Sequence, residues 1–277
     1  MAGPYLNVIT FLLTTLFYYM SIKPNLTYDM LTNDQQYKSY INNKYVFLAI
    51  YFLLVIMIQF MVNTSIITTM CGGNISENLG VAGSYTIFPW LLIFGILLIV
   101  LTILPGFKSA FSDVVGYYYV ANSANNLLTE LLIDKDIQQK IEGDSTLTGE
   151  NKTAMESAAD AILKIVGNSS ILINQMVPEN FERYWTILKP LMKPGNFENT
   201  DSKRRLFDLV VTRDNIGEAM WYIYTGLLLT SIVHLKIVSR GCSNSPKVME
   251  QKYQNFLDQE KQISANKQTN TNTVYTL

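Results

Sequence analysis

Charge-free apolar runs divide this chain. Three are continuous: Leu6–Ile22, Tyr45–Val62 and Ile87–Leu104. A fourth runs from Ala219 to Leu235 and closes by residue 238. None contains Asp, Glu, Lys or Arg. Each has the length of a bilayer-crossing helix, roughly 17–25 residues. The pattern predicts an all-α integral membrane protein with about four transmembrane helices. The first run has a competing reading as a signal peptide, but "MAGPYLN" carries no basic side chain and the run ends in "YYMSIKP". The fourth, with Thr225, Thr230, Ser231 and His234, competes with a buried core helix.

The polar segments complete the organisation. Residues 1–104 form a membrane region, 105–218 a membrane-proximal helical domain facing the cytosol, and 239–277 an amphipathic helix with a polar tail. In 105–218, Leu127, Leu128, Leu131, Leu132 and Ile137 recur at helical spacing. Thr153 and Glu156 form a capping box. A short helix between Pro178 and Pro190 groups Phe181, Tyr184, Trp185 and Leu188. In the tail, Met249, Tyr253, Phe256, Leu257 and Ile263 make an apolar stripe that needs a partner helix or a membrane surface. From Ser264 onward the composition is that of a disordered end.

Charge sets the orientation. Lys23, Lys38, Lys44, Lys108, Lys203, Arg204, Arg205 and Arg213 fall on the side of the 105–218 segment, against Lys236, Arg240, Lys247 and Lys252 on the other. Lysine and arginine near span ends mark the cytosolic face. Cys71 and Cys242 then share the opposite face, where pairing is open and two separate thiols are the simpler reading. The sequon at Asn74 lies there too, as a glycosylation candidate; those at Asn25, Asn151 and Asn168 would face the cytosol.

The stretch "PGFKSAFSDVVGYYYV" follows the third span directly. Pro105 ends a helix and Gly106 suits a sharp turn. Phe107 and Phe111 fit the acyl boundary, Lys108 can snorkel to phosphates, and Ser109 or Ser112 can cap a new helix near Asp113. Tyr117, Tyr118 and Tyr119 suit headgroup depth. The expected role is an elbow and an interface anchor. Lys203, Arg204 and Arg205 are candidates for headgroup or partner contact, as are Met249, Tyr253 and Phe256.

Chemistry is sparse. The single histidine, His234, reads as interfacial. No His/Cys/Asp/Glu set has metal spacing, and "CGG" and "GVAG" lack a phosphate-loop context. The expectation is no enzyme and no cofactor. Net charge −1 implies no nucleic-acid partner. An oligomeric channel or small transporter, lined by Gln59, threonines and Gly95, is the competing function, so self-association is left open.

Residues 88–117, "FPWLLIFGILLIVLTILPGFKSAFSDVVGY", resemble a membrane protein family of nucleocytoplasmic large DNA viruses. That family opens a span with Phe-Pro-Trp and closes it with Pro-Gly-aromatic, Ser-x-Phe-Ser and Gly-Tyr. Phe88, Pro89, Trp90, Pro105, Gly106, Phe107, Ser109, Phe111, Ser112, Gly116 and Tyr117 match. Phe107 stands where the family often has Trp, and Asp113 where it has Asn. The resemblance covers about thirty residues. It implies a transmembrane minor capsid protein like those of chlorella viruses. Such a protein lies in the internal virion membrane, derived from host endoplasmic reticulum, and contacts other minor capsid proteins and the major capsid protein. It supplies no catalytic residues.

Overall fold

The computed structural model describes residues 5–72, 74–132, 169–189, 192–240, 242 and 246–270. It is all-helical, and the described residues contain no strand beyond an isolated bridge between Leu132 and Met192. Three helices are long and apolar enough to cross a membrane: α3 (Asp34–Cys71), α4 (Ile75–Ile103) and α8 (Thr200–Arg240). A shorter apolar helix, α1 (Leu6–Ile22), packs beside them, and α2 (Tyr28–Leu31) bridges to α3. Helical turns through 105–116 lead into α5 (Tyr117–Leu131). The remaining elements are α6 (Ser169–Gln175), α7 (Phe181–Leu188) and α9 (Pro246–Asn270).

The three long helices outrun their apolar runs. Asn33 starts α3 by accepting from the backbone N–H of Gln35 and Gln36, eleven residues before the apolar run begins. The domain boundary expected at 218 falls inside α8, which passes from domain to bundle without a break. Pro89 lies inside α4, where it cannot donate to the helical ladder. The next turn, Trp90–Phe94, widens to π geometry and the helix continues.

Two packed cores sit at different levels. The bundle core is aromatic: Phe11, Tyr18, Tyr51, Trp90, Phe94 and Tyr222 are buried against one another. Tyr18 stacks on Tyr51 at 4.3 Å, and Phe11 lies 5.4 Å from Trp90. The tip of the Phe11 ring also abuts Gly226, where any side chain would overlap it. Leu13, Leu53, Leu92, Ile96 and Ile99 point outward and are exposed. So broad an apolar surface suits hydrocarbon rather than water. The domain core gathers Leu127, Leu128, Leu131, Leu132, Phe181, Trp185, Leu188, Leu206 and Phe207, joining the two expected stripes. Tyr184 is only partly buried, at its edge. Ile137, Thr153 and Glu156 lie outside the described residues.

At the far end of the bundle Cys71 and Cys242 are disulfide-bonded, with Cα atoms 5.1 Å apart. Sequence spacing had favoured separate thiols. What joins them is tertiary: α3 and α8 end side by side, which no local pattern records. The same ends of α3 and α8 are also joined by packing of Ile66 and Ile67 on Val233 and Ile237, which does not depend on the disulfide. Cys71→Ser is therefore expected to loosen the tail rather than unfold the bundle. Limited proteolysis should cut before α9 faster than in the parent, while the domain core stays resistant. The tail helix reaches Asn270, through residues whose composition suggested disorder. Ala, Gln and Lys there are adequate helix formers.

Candidate functional site at the junction of bundle and domain

The elbow and the middle of α8 meet where domain and bundle join. On α8, Asp214 and Glu218 are four residues apart and share a face. Both are buried, at 7% and 5% exposure. Lys108 enters from the elbow with Nζ 2.5 Å from Asp214 Oδ2. Lys23 enters from the end of α1 with Nζ 2.6 Å from Glu218 Oε1. Tyr19 donates its hydroxyl to the same oxygen at 3.1 Å, and Lys23 sits 4.6 Å above the Tyr19 ring. Burial would push the Lys108 ammonium down, but the Asp214 and Glu218 carboxylates outweigh it and hold its pKa above the ordinary lysine value. For Lys23 burial wins and lowers the pKa, against the pull of Glu218.

Arg213 adds a third enclosed cation, 1% exposed. It donates to the carbonyls of Ile173 at 2.5 Å and Met176 at 2.7 Å, and to Asn174 Oδ1 at 3.1 Å. These carbonyls end α6, so the guanidinium closes that helix onto α8. Asp113 stands 3.6 Å away. Beside the ion pairs is a cavity of about 20 Å³ lined by Lys23, Tyr40, Lys44, Glu179, Asp214 and Glu218. That is room for about one water molecule.

Small residues let the elbow approach α8 this closely. A Cβ on Gly217 would lie 2.6 Å from Ser112 Cβ and 2.8 Å from its backbone nitrogen. One on Gly116 would lie 2.5 Å from the Arg213 carbonyl oxygen. The Ser112–Gly116 turn is π-helical, which sets both small residues against α8.

The elbow therefore differs from its sequence reading. Pro105 and Gly106 do begin it, in a tight 3-10 turn through Lys108. Gly106 keeps a negative φ, so the freedom of glycine is not used there. Lys108 is 2% exposed and points inward; it does not snorkel, because two carboxylates of α8 attract it more strongly than water does. Ser109 and Ser112 make no capping hydrogen bond, since the chain stays helical and offers no free helix start. Phe107 and Phe111 clasp Trp221 at 5.1 and 4.9 Å, and Trp221 Nε1 donates to the Phe107 carbonyl. Tyr117 packs on the domain core, whereas Tyr118 and Tyr119 are exposed.

The basic triplet is met within the chain. Lys203 pairs with Glu182 at 2.9 Å and Arg204 with Asp29 at 2.7 Å; Arg205 approaches Glu130 at 3.6 Å. These pairs tie the start of α8 to α7, α2 and α5. Met249, Tyr253 and Phe256 are exposed on α9, so the stripe is unpartnered. Asn74 is exposed at the tip of the α3–α4 hairpin.

Sequence reasoning missed Arg213, Asp214, Glu218 and the role of Lys23. The signal available was two carboxylates at helical spacing just before an apolar run. Starting the fourth span at Ala219 placed them outside it, at the end of the polar segment. Among the described residues no group of three His, Cys, Asp or Glu side chains could hold a metal ion. The arrangement is a clamp: two helix ends and the elbow are locked to one long helix by charges enclosed in a helical membrane-associated protein. No family model, curated protein or solved structure matches the chain.

Proposed function

We propose that this protein is a non-catalytic anchor that ties an internal viral membrane to an icosahedral capsid shell. The observation that carries this reading is α8 with its clamp. Forty-one residues of continuous helix span about 60 Å, twice the hydrocarbon thickness of a bilayer. A load on the domain passes into the bilayer along one rod, held at mid-length by Lys23, Lys108 and the elbow. The resemblance of residues 88–117 to the viral family supplies the capsid side, with minor and major capsid proteins as partners. Its matched Ser112 and Gly116 are the residues that seat the elbow on α8.

In this reading α1 is the fourth span. It is about 25 Å long and runs along α3 and α8, with Asn7 donating to the Thr230 carbonyl near one end and Lys23 reaching Glu218 at the other. The disulfide supports the orientation, because bonded cysteines belong in an oxidising compartment. Its end of the bundle is luminal and the domain cytosolic, hence facing the shell after budding. Conduction is the weaker reading. Gln59, which a pore would need, donates to the Asn7 carbonyl at 2.9 Å, and rings fill the bundle axis.

The test replaces Phe107 and Phe111 together by Ser in infectious particles. Loss of two ring contacts to Trp221 is expected to cost about 3 kcal/mol and to free the elbow. Electron microscopy should then show membranes detached from the shell, at reduced particle yield. Normal yield with the membrane following the shell would sink the anchoring role.

A further inference from the structure

The Asn-Ile-Ser triplet at 74–76 is not used by the clamp. It lies at the turn between α3 and α4. The apolar runs stop at Val62 and resume at Ile87, yet residues 63–71 and 75–86 stay helical. At 1.5 Å per residue, the shorter arm carries the tip about 13 Å beyond the apolar run. The projecting arms have a small core of their own, in which Ile66, Ile67 and Ala82 pack with Val233 and Ile237 of α8. Ser65, Thr69, Ser76, Glu77 and Ser84 are exposed around it, interspersed with exposed Met70, Ile75 and Leu79, a mixed surface unlike the wholly apolar one of the runs. Asn74 is exposed at the start of α4, so its side-chain amide is within reach of solvent. Three residues earlier, Cys71 is disulfide-bonded to Cys242, which places this tip in an oxidising compartment.

We infer that Asn74 is an N-glycan acceptor and that it alone among the five sequons is used. The sequon at Asn63 shares this end of the bundle, but Asn63 is buried and its Nδ2 donates to Thr86 Oγ1 at 2.9 Å. The donor class is a polyprenyl-pyrophosphate-linked oligosaccharide. A bond forms between Asn74 Nδ2 and the sugar C1 while the C1–O bond to the pyrophosphate breaks. The pyrophosphate leaves with the electron pair, and the amide proton passes to a base of the transferring enzyme; nothing is oxidised. Asn25 is also exposed, but it lies at the domain end of the bundle, two residues after Lys23. Asn151 and Asn168 lie outside the described residues and follow the same side by sequence. The inference rests on the orientation given above and not on the capsid partner.

The full chain is translated into microsomes that carry out N-glycosylation, then treated with an amidase that removes N-glycans. One glycan is expected, lost in Asn74→Gln and in Ser76→Ala and kept in Asn25→Gln. An unglycosylated chain whose tail is protected from external protease would overturn the acceptor and leave the orientation standing. Glycans on Asn151 or Asn168 with a bare Asn74 would overturn both.

Discussion

Glu218→Ala is expected to destabilise the protein by about 3–5 kcal/mol, the cost of leaving a buried charge without its partner. The ammonium of Lys23 would lose a carboxylate at 2.6 Å and Tyr19 would lose its acceptor, and the adjoining cavity has room for only about one water molecule to replace them. Thermal unfolding in detergent, followed by tryptophan fluorescence, reads the loss. The companion experiment replaces both partners, Lys23→Met with Glu218→Leu. Because desolvating two charges offsets much of their attraction, the double variant should recover to within about 1 kcal/mol of the parent. A single variant as stable as the parent would show that this pair does not hold α1 to α8.

Gly217→Ala is the second large effect. One methyl group there meets the Ser112 backbone, which cannot swing aside as a side-chain end can. The expected cost is near the top of the 1–3 kcal/mol range for overpacking, about 3 kcal/mol. Gly80→Ala, also within a helix, is the control: nothing lies within 4 Å of its added Cβ. It should be neutral or gain up to about 1 kcal/mol from helix propensity. If both substitutions behave alike, the elbow does not pack on α8 as described.

Local pattern carried much of the fold. Apolar runs without charge located the helices that suit a bilayer, since burying an unpaired charge in hydrocarbon is costly. The spacing of Leu127, Leu128, Leu131, Phe181, Trp185 and Leu188 marked the buried faces of the domain, because a 3.6-residue period puts them on one side. At residues 105–117 the structure departs from the sequence reading in part. Phe and Lys beside a span read equally well as lipid anchors and as packing residues, and only the position of Trp221 and Asp214 distinguishes the two.

The sequence by itself determined the helical class, the apolar runs and the amphipathic faces, because these follow from periodicity and transfer free energy along a single segment. Tertiary structure decided which charges are enclosed, which cysteines meet and where a glycine is required. Those outcomes depend on residues more than a hundred positions apart, such as Lys23 and Glu218 or Cys71 and Cys242, brought together by helices whose mutual placement no local spacing encodes.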